Sequence, residues 1–151
     1  MWLEKVLVIQ PDNAPACINL ARLSWKTGAH DDARTYTNRA RRLSPQNPPL
    51  KLNYAFFDFH DGYYRKGLSL YKKLRRNKLK DNLMLESIAT VEEEYESSSK
   101  PAFLFAAGWL NYMYADTKRA EMLLAEFLRI VDGNIEYECL AKESKELLSR
   151  L

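Results

Sequence analysis

Sliding the chain along itself by the distance from Pro11 to Pro45 brings like onto like. At that offset Ala21 falls on Ala55, Gly28 on Gly62 and Ala33 on Gly67, while Asp12-Asn13 matches Gln46-Asn47 in character. A fixed period of about 20–50 residues marks stacked supersecondary units, and it restricts the fold more than any composition can. The two prolines stand where a helix must stop, and the two glycines where the chain must turn tightly. The small residues between them sit where two antiparallel helices need room to approach.

Within these marks the apolar spacing is helical. Residues 14–27 put Cys17, Leu20, Ala21 and Ser24 on one face, with Ile18 and Trp25 on another. Over 63–77, Tyr64, Leu68, Tyr71 and Leu74 follow i, i+4, i+7 and i+10, and Arg65, Lys66, Lys72, Lys73, Arg75 and Arg76 take the remaining positions. The 5 Gly and 6 Pro fall mostly between such segments, so an all-α chain is expected.

The pattern resembles the tetratricopeptide repeat. Counting a first full repeat from Ala14, Ala21 fills that family's small eighth position, and Ala33, Ala40 and Pro45 fill its twentieth, twenty-seventh and thirty-second. Ser24 and Thr37 depart from the large residue and the aromatic usual at the eleventh and twenty-fourth positions. A second repeat from Pro48 keeps Tyr54, Ala55, Gly62 and Tyr71, with Gly67 and Leu74 where Ala is usual. The resemblance implies a right-handed superhelical solenoid of antiparallel helix hairpins, about nine helices long, that binds other proteins and catalyses nothing.

One repeat domain is expected over 1–151, with full repeats at 14–47 and 48–81. Residues 1–10 read as the second helix of a partial repeat, with Leu3 and Val6 pointing inward. A chain that begins halfway through a repeat leaves a face uncovered, as a piece of a longer repeat protein would. Residues 82–134 are less regular, with helices at about 82–96, 101–115 and 116–131. Gly108, Ala120, Leu124 and Phe127 fit a repeat starting at Pro101, which leaves 82–96 as an extra helix; regular alternation pairs 82–96 with 101–115 instead. Both registers stand open on the residues. The segment 135–151 reads as a capping helix, with Tyr137, Leu140, Ala141, Leu147, Leu148 and Leu151 on one side and Lys142, Glu143, Lys145 and Glu146 on the other.

Composition narrows the class further. With 46% apolar and 28% charged residues, the chain has the make-up of a folded globular protein and not of a disordered one. Glu4 and Lys5 interrupt the N-terminal apolar stretch, so no secretory leader is expected. The run "PAFLFAAGWLNYMYA" is shorter than the about 20 residues a membrane span needs, so a buried helix is expected there. A cytoplasmic location is the expectation, and Cys17 and Cys139, which lack any CxxC or CxxH spacing, suit buried thiols in a reducing compartment. Charge is uneven: residues 22–80 carry 15 Lys/Arg against 4 Asp/Glu, and residues 81–151 carry 7 against 14. Such a dipolar chain can orient a charged partner.

In tetratricopeptide proteins the first helix of each repeat lines a concave groove that takes a peptide or a helix. By position, the resemblance places Ile18, Arg22, Trp25 and Lys26 there from the first repeat, and Leu52, Phe56, Phe59 and His60 from the second. An aromatic groove edged by cations suits a peptide with apolar anchors and an acidic group. The competing expectation is that Phe56 or Phe59 packs on a neighbouring helix, because "YAFFDFHDGYY" has more aromatics than one face can expose. The clamp that some members use on acidic C-terminal tails of chaperones does not fit. Ile18 and Arg22 stand where it needs Lys and Asn, and Leu83 and Ser87 replace its third-repeat pair.

Two other functions keep a foothold. Arg39, Arg41, Arg42, Lys72, Lys73, Arg75 and Arg76 form a basic patch that could meet nucleic acid or an anionic surface, or simply be the solvated back of repeat helices. A small secretion-type chaperone is the third reading. No catalytic, metal or cofactor residue is expected: His30 and His60 lie near turns, Cys17 occupies an inward position, and no P-loop, GxGxxG, HExxH or GxSxG occurs.

Overall fold

The computed structural model describes residues 13–74 and 81–151, so the helix expected over 1–10 lies outside the described residues. Those residues are all α: α1 (Ala14–Lys26), α2 (His30–Leu43), α3 (Pro48–Asp61), α4 (Tyr64–Leu74), α5 (Asp81–Ser98), α6 (Pro101–Tyr114), α7 (Thr117–Ile130), a 3-10 turn (Ile135–Tyr137) and α8 (Glu138–Ser149). No strand occurs among them.

The period is written into the helix ends. The offset that superposes Pro11 on Pro45 also carries the start of α1, Ala14, to the start of α3, Pro48, and the start of α2, His30, to the start of α4, Tyr64. Asn13 caps α1 by accepting from the Ala16 N–H at 2.9 Å. Gly28 and Gly62 close the two inter-helix turns at φ of 86° and 89°, a left-handed backbone that a side chain would strain. Asp31 and Asp32 sit in the first turn of α2, where the helix dipole favours acids. Further along, α6 and α7 begin at Pro101 and Thr117, a spacing identical to that between the starts of α1 and α2.

Matched positions are also matched in burial. Ala21, Ala55 and Gly108 are buried, as are Ala33, Gly67 and Ala120. So are Thr37, Tyr71 and Leu124, and then Ala40, Leu74 and Phe127. Thr37 spends its hydroxyl on its own helix, donating to the Ala33 carbonyl at 2.9 Å.

The chain divides into two compact units, Met1–Tyr54 and Ala55–Leu151, with the boundary inside α3. In the first, α1 packs along α2. Its core is built from small and aliphatic residues, among them Ala14, Ala16, Cys17, Ile18, Leu20 and Ala40, with Tyr36, Leu43 and Tyr54 leaning on it.

The second unit is organised around α6. Every residue of α6 from Ala102 to Asn111 is buried, so this apolar run is a core helix covered on all sides. Both α5 and α7 pack on it, so the two registers left open by the residues each describe a real contact of α6. Phe103 meets Phe56 at 4.8 Å between ring centroids, Phe105 meets Phe59 at 6.1 Å, and Trp109 meets Tyr71 at 4.9 Å. At its two ends, Lys100 Nζ donates to the His60 carbonyl at 3.0 Å and the Tyr114 hydroxyl donates to the Leu74 carbonyl at 3.1 Å. Gly108 lets α7 approach: a Cβ there would lie 2.7 Å from Leu124 Cδ2.

One contact departs from the solenoid expectation. In a solenoid each hairpin touches only its neighbours, yet α8 packs directly on α4 across three intervening helices. Tyr64 and Tyr137 stack at 4.8 Å, their hydroxyls 3.3 Å apart, and Lys72 Nζ lies 3.3 Å from Glu143 Oε2. The second unit therefore closes around α6. The same contact corrects the expected polar side of the last helix: Glu143 is buried, because residues 140, 143, 144 and 147 share one helical face.

Candidate functional site

The residues expected to line a first-helix groove separate into a buried set and a surface set. Ile18, Trp25, Leu52, Phe56 and Phe59 are all buried. Trp25 lies flat against His30, ring centroids 3.8 Å apart and planes 8° from parallel. Phe59, only 1% exposed, packs edge-on against Tyr71 at 5.2 Å and over Gly67, whose missing side chain leaves room for the ring. The aromatic wall of the expected groove is thus core. The physical reason is α6, whose apolar surface on every side draws Phe56 and Phe59 inward to cover it. Arg22 is half-buried, Lys26 is exposed, and His60 is partly exposed with its Nδ1 3.1 Å from Asp61 Oδ1.

The expected basic patch is distributed over both units. Arg39 is half-buried and Arg41 and Arg42 are exposed, all on α2 in the first unit. Arg41 lies over the Tyr54 ring, 5.4 Å from its centroid, and the Tyr54 hydroxyl donates to Asn38 Oδ1 at 2.6 Å. Burial lifts the Tyr54 hydroxyl above its ordinary range, against the opposing pull of Arg41 and Arg42. Lys72 and Lys73 are exposed on α4 in the second unit, and Arg75 and Arg76 lie outside the described residues. Cys17 is fully buried, and burial pushes its thiol pKa up, the reverse of what a nucleophile requires. Among the described residues, no cluster of three His, Cys, Asp or Glu side chains could hold a metal ion. None of the described helices is long and apolar enough to cross a membrane.

A concave surface does occur, at a place the sequence reading left as solvated helix backs. Between α4 and α8 lies a cleft of about 580 Å³ whose walls include Arg65, Leu68, Lys72, Cys139, Lys142 and Glu146. A second hollow of about 360 Å³ continues it toward Tyr63, Tyr64, Lys66, Ile135 and Glu136. The two share Arg65, Glu138 and Cys139. Burial raises the Cys139 thiol pKa while Arg65 works against the rise. At the mouth, Ile135 is 84% exposed and Tyr63 56%, the latter with Lys66 Nζ 5.0 Å from its ring centroid. The one sequence signal for this cleft was the exposed cationic face of 63–77; its opposite wall comes from the last helix of the chain, which no local pattern announces. No protein-family model, curated protein or solved structure matches this chain.

Proposed function

We propose that the chain is a protein-interaction module built from tetratricopeptide-like hairpins, holding a segment of a partner polypeptide and performing no chemistry of its own. The observation that carries this reading is the return of the helix starts at one fixed offset, Ala14 to Pro48 and His30 to Tyr64, together with burial of the same positions in three helix pairs. Chains so built use their common geometry for stacking and leave the outward residues of the hairpins to contact partners. In the first unit those residues include Arg22 and Lys26, one turn apart on α1, which suit an acidic stretch.

The test is capture of partners on the immobilised chain, identification by mass spectrometry, and calorimetric titration of the identified segment. Arg22→Glu/Lys26→Glu is expected to weaken binding about tenfold without loss of helicity. Retention of no polypeptide would overturn the reading. A second reading, an anionic partner such as nucleic acid, draws on Arg41 and Arg42 beside Tyr54. That alternative requires affinity to fall steeply and log-linearly with salt.

A further inference from the structure

We propose that the cleft between α4 and α8 is a docking groove for an amphipathic helix whose two flanks carry opposite charge, acidic where it lies along α4 and basic where it lies along α8. This deepens the reading of the chain as a polypeptide-binding module and rests on it, but names a different surface from the α1 residues.

The charge of the two walls is the argument. On the α4 side every charged lining group is a cation: Arg65, Lys66 and Lys72. On the other side stand Glu136, Glu138, Glu143 and Glu146, with Lys142 the one cation among them. Lys72 is committed to Glu143, which is 5% exposed against 50% for the lysine. Arg65 and Lys66 on one wall, and Glu136, Glu138 and Glu146 on the other, are exposed. Opposed rails of this kind repel a uniformly charged ligand on one side or the other, and they favour one whose charge changes sign across its width.

Shape gives the rest. α4 and α8 run in the same direction, since Tyr64 meets Tyr137 at their N-terminal ends and Lys72 meets Glu143 further along both. From Glu138 to Glu146 the wall is about 12 Å long at the helical rise, or two turns. Its apolar floor has two stations, Leu68 with Cys139, and Tyr63 with Ile135 at the mouth. Tyr64 and Leu68 are a little over one turn apart along α4, with Tyr63 immediately before it, which matches anchors spaced i, i+4 on a facing helix.

The experiment uses the intact chain and three synthetic peptides of equal length, each with Leu at i, i+4 and i+8. One has Glu on one flank and Lys on the other, one has Glu on both flanks, and one has Lys on both. Affinity is read by calorimetry, and occupancy by protection of the half-buried Cys139 from alkylation. The mixed peptide is expected to bind at least about tenfold more tightly than either uniform one and to shield Cys139. Arg65→Glu/Lys66→Glu, which makes both walls acidic, should transfer the preference to the all-Lys peptide, with circular dichroism confirming that the variant is folded. Equal affinity for the three peptides, no binding at millimolar concentration, or binding that leaves Cys139 open would overturn the proposal. Should the groove fail while partners are still captured through Arg22 and Lys26, the broader reading survives; if neither surface retains a polypeptide, both fall.

Discussion

The two units solve the packing of a helix pair with different materials. In the first, α1 and α2 approach through alanines, with Ala33 and Ala40 fully buried and Cys17 among the larger groups between them. In the second, the position aligned with Ala40 is Leu74 in α4 and Phe127 in α7, and the space is filled by rings around α6. The comparison teaches that aligned positions keep the place of contact more strictly than the residue making it. Small groups bring two backbones together; large ones make room for a third helix.

Substitutions made singly or in matched pairs would break or sharpen this contrast. Phe105→Ala removes a fully buried ring from the middle of the second unit and should cost about 3–5 kcal/mol in chemical denaturation. A loss below about 1 kcal/mol would mean that α6 is not the centre of that core. Next come reciprocal changes at the aligned position: Leu74→Ala is expected to cost about 2–5 kcal/mol through a cavity, and Ala40→Leu about 1–3 kcal/mol through overpacking. If Ala40→Leu were neutral, the first hairpin would be no tighter than the second.

Gly67→Ala tests close approach inside the second unit. Its new Cβ would sit 2.6 Å from the Phe59 ring, so the gain of about 1 kcal/mol in helix propensity should be outweighed and the midpoint of unfolding lowered. The caps should show no contrast at all. Asp116 accepts from the Lys118 and Arg119 N–H groups, as Asn13 does from Ala16, so Asp116→Ala and Asn13→Ala should each cost about 1 kcal/mol. The smallest effect belongs to Ser99, which follows α5 at φ of 56°; Ser99→Gly should raise stability by less than about 1 kcal/mol, read as a small rise in Tm.

Much of the local architecture was legible because its causes are local. The glycine turns and the restart of two helices at a fixed offset follow from residues within a turn of the feature they explain. The burial of α6 was legible too, since a run of apolar residues with no polar face has nowhere to go but inside. What the sequence could not disclose was direction. Phe56 and Phe59 could face a groove or a neighbouring helix with equal local merit, and only the demand of α6 for cover decides it. Glu143 was assigned to solvent by its charge, although its spacing from Leu140 and Leu147 put it on the inward face; its partner Lys72 lies on a helix that nothing nearby identifies. The cleft stayed hidden for the same reason.

The meeting of Tyr64 with Tyr137, far apart in sequence, also bears on how the second unit assembles. A stack held only by adjacent hairpins can zip up from any point, adding one layer at a time. Here a long loop must close before the last helix finds its seat, which raises contact order and slows the search. The second unit should accordingly appear in one concerted step, later than the hairpin of α1 and α2, which pairs two helices adjacent in sequence.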